Sequence, residues 1–246
     1  MKIIADTHCH TIASDHAYST VLENIAHAEK QGLKCIAITD HAPSVTDGPH
    51  FWHFANLGAI PRIVHGLLVL RGVEADILND SGEIDMDERD LRGLDWVNAS
   101  MHGSVLTPRD EAYHTRAYLK LAQNPNVDVI AHSGTECYRY DYEAGIKVFK
   151  EYEKLVEFNN HYIGQSAGSR KNYTEIARYC KKYEVPVVIS SDAHFALSVG
   201  EADNAVELLE EIGFPERLVL NADEERFFGY IKEKKNIDYY GLIKQI

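Results

Sequence analysis

Residues 1–20 read MKIIADTHCHTIASDHAYST, and they contain the first strand and the first candidate ligands. A short apolar run over residues 2–5 is followed closely by His8, His10 and His16. In an extended chain, residues i and i+2 point the same way, so His8 and His10 can bind one ion. Two such histidines alone are a weak signal, and the rest of the chain decides what they mean.

The composition favours one α/β domain that spans residues 1–246. Of the 246 residues, 45% are hydrophobic, which suffices for a sizeable core. The formal net charge of −13 argues against binding to long nucleic acid. It does not argue against a small phosphorylated substrate, because bound cations reverse the local charge.

Other features of the sequence point to the cytoplasm. The four cysteines (Cys9, Cys35, Cys137 and Cys180) form no CxxC pair, which favours a reducing compartment. The N-terminus is too polar and too short for a signal peptide. No apolar run approaches the ~20 residues of a membrane span. We therefore expect a cytoplasmic protein with no membrane partner. The oligomeric state does not follow from the sequence.

Short apolar runs alternate with helical patterns along the chain, which is typical of a parallel sheet covered by helices. The predicted strands are residues 2–5, 35–39, 67–74, 95–100, 127–131, 154–159 and 185–190, with a further strand at 217–221. The predicted helices are residues 21–31, 108–123 with Pro108 in the first turn, 142–152, 172–183, 205–213 and 223–234. This order fits either a (β/α)7 barrel or a doubly wound sheet.

Potential metal ligands stand directly behind six of the seven regular strands, and this favours the barrel. The carboxyl ends of barrel strands meet on one face, where active sites lie. Only the sixth run, which ends in FNN, lacks an obvious ligand. A lone histidine at a strand end more often has a structural role than a metal-binding one. The joint pattern behind six strands is better explained by a metal site. The nine candidate ligands are His8, His10, His16, His41, Glu74, His102, His132, Asp192 and His194.

The remaining histidines have other interpretations. We expect structural roles for His27 and His65, which lie in helical patterns, and for His114 and His161, which match no strand end. The stretch GPHFWHF, residues 48–54, is either a lid over the site or a packed surface loop.

Imidazoles and carboxylates together suit zinc, with manganese or iron as alternatives. Nine ligands are too many for one tetrahedral ion and about right for three divalent ions per chain, if one carboxylate bridges two of them.

With the segments TDH, GVE, SMH, AHS and SDAH behind these strands, the chain resembles the PHP (polymerase and histidinol phosphatase) family, most closely its YcdX-type phosphatases. The resemblance covers roughly residues 3–221. It implies a distorted (β/α)7 TIM-like barrel with a trinuclear metal site. One ion is implied to bind His8, His10, Glu74 and Asp192, a second Glu74, His102 and His132, and a third His16, His41 and His194.

A metal-dependent phosphatase that acts on small phosphomonoesters follows as the leading hypothesis, with a metal-bridging hydroxide as nucleophile. Glu74 is expected to bridge, and Asp192 to bind metal and also to accept or relay a proton. Either a metal-bound water or His194, in a transient state, is expected to protonate the leaving group. Arg62, Arg109, Arg139 and Arg170 are candidates for contacts with phosphate or with the rest of the substrate.

Three other functions stay open. They are a phosphodiesterase or exonuclease on short oligonucleotides, a carbon–nitrogen hydrolase of the amidohydrolase type, and a non-catalytic metal-binding module. The amidohydrolase type would have a bridging lysine where this chain has Glu74.

Overall fold

The computed structural model describes residues 1–245. Within them, seven parallel strands follow one another around the sheet in chain order, so the fold is a nearly closed barrel and not a doubly wound sheet. A two-residue strand, β3, pairs antiparallel to β4 and was not predicted. The strands are β1 (Ala5–Asp6), β2 (Cys35–Ile38), β3 (Ile63–Val64), β4 (Leu67–Asp76), β5 (Trp96–Ser100), β6 (Val129–Ile130), β7 (Leu155–Asn159) and β8 (Val187–Ser190).

Helices fill the connections, and most begin at a side chain that caps the first turn. Thr20 forms a capping box with Glu23, and Gly32 ends the helix with a positive φ of 77°. Asp110 caps α4, so Pro108 lies before the helix and not in its first turn as predicted. The helices are α1 (Val21–Gln31), α2 (Trp52–Ala55), α3 (Glu88–Leu91), α4 (Glu111–Leu121), α5 (Tyr142–Glu151), α6 (Asn160–Gln165), α7 (Ala167–Tyr183), α8 (Asp203–Glu211), α9 (Glu224–Lys235) and α10 (Tyr239–Ile243).

The barrel closes between β1 and β8, and the prediction of a strand at 217–221 is wrong there. This segment forms two short 3-10 turns, Glu216–Leu218 and Leu220–Ala222, with a single bridge from Val219 to β8. The buried side chain of Asn221 fills the gap: its Nδ2 donates to Ala5 O (2.8 Å) and Ile189 O (2.7 Å), and its Oδ1 accepts from Ile189 N (3.1 Å). One side-chain amide thus replaces the backbone groups of a strand.

The inside of the barrel is apolar at one end and polar at the other. Alternate residues of β4 share a face, so Leu68 and Leu70 point inward together with Glu74. At the amino ends of the strands, Phe227 and Phe228 of α9 pack on this apolar layer and close the barrel. The carboxyl ends carry the charged residues. Among residues 1–245, no helix is long and apolar enough to cross a membrane.

Candidate metal centre

The structure brings the nine candidate ligands into one connected cluster at the carboxyl ends of the strands. A cavity of about 880 Å³ opens onto five of them: His16, His41, His102, Asp192 and His194. The other four lie beneath it and are almost fully buried: His8, His10, Glu74 and His132.

Glu74 is the centre of this cluster, and its two carboxylate oxygens face different sets of histidines. Oε2 lies 2.9 Å from His41 Nδ1 and 3.3 Å from His8 Nε2. Oε1 lies 2.7 Å from His132 Nε2 and 3.5 Å from His102 Nε2. A carboxylate with one oxygen toward each set can hold two ions at once.

Several polar atoms in the cluster are buried without a hydrogen-bond partner among residues 1–245. They are His8 Nε2, His10 Nδ1, His194 Nε2, and also His41 Nδ1 and Glu74 Oε2, which lie 2.9 Å apart without the alignment of a hydrogen bond. A buried polar atom without a partner is costly, and a lone pair of this kind is what a metal ion uses. The donor set of imidazole nitrogen and carboxylate oxygen therefore fits divalent ions such as zinc.

Three groups of residues each place three ligand atoms within 4.8 Å of one another: His8, His10 and Glu74; His41, Glu74 and His102; His10, His41 and His194. The first group matches the predicted first ion, whose fourth ligand, Asp192, lies 3.1 Å from His10 Nε2. The second contains His41 where the resemblance implies His132, and the third contains His10 where it implies His16. His16 stacks on His194 at 4.4 Å between ring centroids.

A shell of carboxylates orients the histidines, and sequence reasoning missed it. Glu157 Oε1 lies 2.7 Å from His8 Nδ1, and Asp76 Oδ1 lies 2.8 Å from His102 Nδ1. An ionised carboxylate only accepts hydrogen bonds, so in the neutral imidazoles these Nδ1 atoms carry the proton and each Nε2 has the lone pair that a metal ion binds. Asp47 pairs with His16 Nδ1 in the same way.

The sixth run of the sequence therefore contributes to the site even though it has no ligand at its end. Glu157 of β7 also accepts from the backbone N of His132 (2.6 Å). Asn159 donates to Glu157 (3.1 Å) and to Asp192 (3.0 Å). The period-two alternation of the strand, counted backward from Asn159, was the signal that identifies Glu157.

The electrostatics of the cluster favour bound cations. Burial opposes ionisation of Glu74, yet His8, His102 and His41 hold the pKa of its carboxyl well below the usual value. Burial and the neighbouring His41 lower the pKa of His10 to about 3, so this imidazole is neutral near pH 7. Burial also lowers the pKa of His102, but the carboxylates of Glu74 and Asp76 have the larger effect and raise this pKa to about 9.

Two of the candidate ligands have a left-handed backbone. The φ angles of His132 and Asp192 are +25° and +57°. This conformation is uncommon for residues other than glycine, and backbone strain of this kind concentrates at functional sites.

Of the other residues singled out in the sequence, His161 lines the cavity, although we expected a structural role for it. None of residues 48–54 lines the cavity, and helix α2 within this stretch contacts Asp40 through His53 Nε2, at 3.2 Å. The four arginines that were candidates for phosphate contacts do not line it either. Arg62 pairs with Asp95, and Arg170 with Glu207 and Glu211.

Comparison with known proteins places the chain among relatives of similar length. A protein of Acetivibrio thermocellus named probable phosphatase is 45% identical over 235 residues, covering 96% of this chain and 98% of that protein. A probable phosphatase of Photobacterium profundum is 43% identical over 235 residues, covering 95% and 96%.

Solved structures share the fold at low sequence identity. The histidinol phosphate phosphatase of Lactococcus lactis, solved with zinc, L-histidinol and phosphate, has a TM-score of 0.59 and 17% identity, covering 87% of this chain and 95% of that chain. A probable 2-pyrone-4,6-dicarboxylic acid hydrolase of Acinetobacter baumannii has a TM-score of 0.53 and 16% identity, covering 93% and 100%. Because these two proteins differ in chemistry, the fold alone does not select a reaction.

The model of the PHP domain family matches residues 6–212, which include all nine candidate ligands. The chain belongs to the PHP domain family.

Proposed function

We propose that this protein is a metal-dependent phosphatase that hydrolyses small phosphomonoesters at a site for three divalent ions, zinc being the best-suited metal. The observation that carries the proposal is the position of Glu74, whose two oxygens face separate groups of histidines. On the Oε2 side, His8 Nε2 and His41 Nδ1 have no hydrogen-bond partner among the described residues. The relatives named probable phosphatases support the reaction class. We also propose that residues 1–246 form one domain, consistent with the barrel and its closing helices.

The residues that would hold the ions are the nine candidate ligands: His8, His10, His16, His41, Glu74, His102, His132, Asp192 and His194. When bound, divalent ions supply charge stabilisation for the phosphoryl oxygens and a water molecule of lowered pKa. Glu157, Asp76 and Asp47 keep three of the imidazoles in the tautomer and orientation that binding requires.

Two side chains are placed to move a proton at the cavity. Asp192 lies at its floor, where His10 and Asn159 fix its two oxygens. His194 Nδ1 lies 3.0 Å from the Asp192 carbonyl oxygen, which leaves Nε2 without a partner in the cavity wall. We propose Asp192 for accepting or relaying a proton and His194, in a transient state in which its Nε2 is released from the ion, for protonating the leaving group.

The test compares esters on metal-loaded enzyme. A phosphomonoester offers three non-bridging oxygens to the cationic site, whereas a diester offers two and needs space for a second organic group. We expect kcat/KM for p-nitrophenyl phosphate to exceed that for bis-p-nitrophenyl phosphate by at least about 100-fold, since one lost contact to developing charge costs several kcal/mol.

The same ordering is expected for a nucleoside monophosphate against a dinucleotide. Faster cleavage of the diester in both pairs would replace the phosphatase by a nuclease acting on short oligonucleotides. Absence of turnover in a fully metal-loaded preparation would indicate a non-catalytic metal-binding module.

A further inference from the structure

Two exposed aromatic side chains form one wall of the cavity. Tyr18 and Phe195 line it, and their relative exposures are 73% and 49%. The loops that carry them are held together: Tyr18 N donates to His194 O (2.8 Å), and Ala196 N donates to Ser19 Oγ (2.8 Å). The backbone segments that carry the two rings are therefore held together next to His194, and both side chains remain exposed among residues 1–245.

The charges around the cavity are of one sign apart from the histidines. Among the described residues that line it, none is Lys or Arg, and three are carboxylates: the candidate ligand Asp192, Asp47 and Glu201. Asp47 is paired with His16. Glu201 is exposed and forms no ion pair within residues 1–245. A phosphate group can be neutralised by the proposed ions, but a second anionic group on the same substrate would meet Glu201 and no side-chain cation.

Resting on the proposed function, we infer that the preferred substrates are phosphomonoesters whose alcohol carries an aromatic group and no second negative charge. The aromatic group would stack on Tyr18 and Phe195, which recover the apolar contact that they lack in the free protein. Bisphosphates, nucleoside polyphosphates and phosphorylated carboxylic acids would be disfavoured by the unpaired carboxylate.

Three esters of primary alcohols test the inference, because their leaving groups are of similar reactivity: 2-phenylethyl phosphate, propyl phosphate and 2-(4-carboxyphenyl)ethyl phosphate. On metal-loaded enzyme, we expect kcat/KM for the phenylethyl ester to exceed that of each of the others at least about tenfold. In the double variant Tyr18→Ala/Phe195→Ala, the ratio of phenylethyl to propyl ester should fall to about two. In Glu201→Gln, the ratio of phenylethyl to carboxyphenylethyl ester should fall at least about threefold.

Tyr152→Ala is the matched control, because Tyr152 is an exposed aromatic where the chain leaves α5 to enter β7, at the opposite end of the barrel. It should leave both ratios unchanged. Equal kcat/KM for the phenylethyl and propyl esters, or a ratio that survives the double variant, would overturn the inference while the phosphatase proposal stands. No hydrolysis of any of the three esters would overturn the phosphatase proposal, and the inference with it.

Discussion

At the scale of single residues, the central question is whether Glu74 serves two ions. If it bridges, Glu74→Gln should lower the metal content by about two ions per chain, whereas His41→Ala should lower it by about one, since imidazole binds a single ion. Elemental analysis of protein purified without chelator measures this. The control is His27→Ala, because the His27 ring bonds Gln31 on the surface of α1. Equal losses in the Glu74 and His41 variants would contradict a bridge.

Glu157 is the residue whose role was hidden in the sequence, and its effect is expected to act through His8. In Glu157→Gln, the amide NH₂ would face either His8 Nδ1 or the backbone N of His132, so one hydrogen bond is lost. We expect the affinity for the first ion to fall about 10- to 100-fold, measured by competition with a chromogenic chelator. The control is the exposed Glu151→Gln.

The thermal stability of both metal-free proteins separates positioning from folding. If Glu157→Gln binds the first ion more weakly while the midpoint of thermal unfolding of the metal-free protein changes little, the positioning role is supported. An unchanged affinity would show that Glu157 does not set the His8 tautomer.

At the scale of elements, the closure of the barrel depends on one amide. Asn221→Ala would leave Ala5 O, Ile189 O and Ile189 N without their buried partner. Leaving such groups unsatisfied costs roughly 1–3 kcal/mol each, so we expect a loss of about 3 kcal/mol in the free energy of unfolding. Urea denaturation measures it, with Asn126→Ala as control, because the Asn126 side chain forms no hydrogen bond within residues 1–245. A loss under 1 kcal/mol would mean that the gap tolerates an unpaired edge.

The same element shows what the sequence can and cannot predict. The run at 217–221 has the composition of a strand, and pattern alone cannot reveal that its asparagine closes the sheet through a side chain. The seven regular strands were predictable because buried parallel strands are continuous apolar runs. Candidate ligands directly behind strands were predictable from barrel geometry. For Glu157, strand alternation could indicate that it faces inward but not what it does, because its partner His8 is 149 residues away along the chain.

At the scale of the whole molecule, the barrel has a closed apolar end and an open charged end. Helices α9 and α10 close the first with Phe227, Phe228 and Tyr239. At the other end, the candidate ligands come from the ends of six strands and the loops behind them. Buried charges of this kind are costly in the folded state unless they are paired. Bound cations would therefore stabilise the whole barrel and not only the site.

Removal of metal tests this coupling between the site and the fold. Ions present at about 1,000 times their dissociation constant stabilise the native state by roughly 4 kcal/mol, because the unfolded chain does not hold the ligands together. For a chain of this length, a change of 1 kcal/mol in the free energy of unfolding shifts the midpoint of thermal unfolding by about 2–4 °C. Chelation should therefore lower this midpoint by roughly 10 °C. Differential scanning calorimetry with and without chelator measures the shift, and Glu74→Gln should show a smaller one. If elemental analysis shows that the ions have been removed and the midpoint of thermal unfolding is unchanged, the cluster is stable without cations. That result would contradict the argument that bound ions offset the cost of the buried charges, and with it the proposed metal centre.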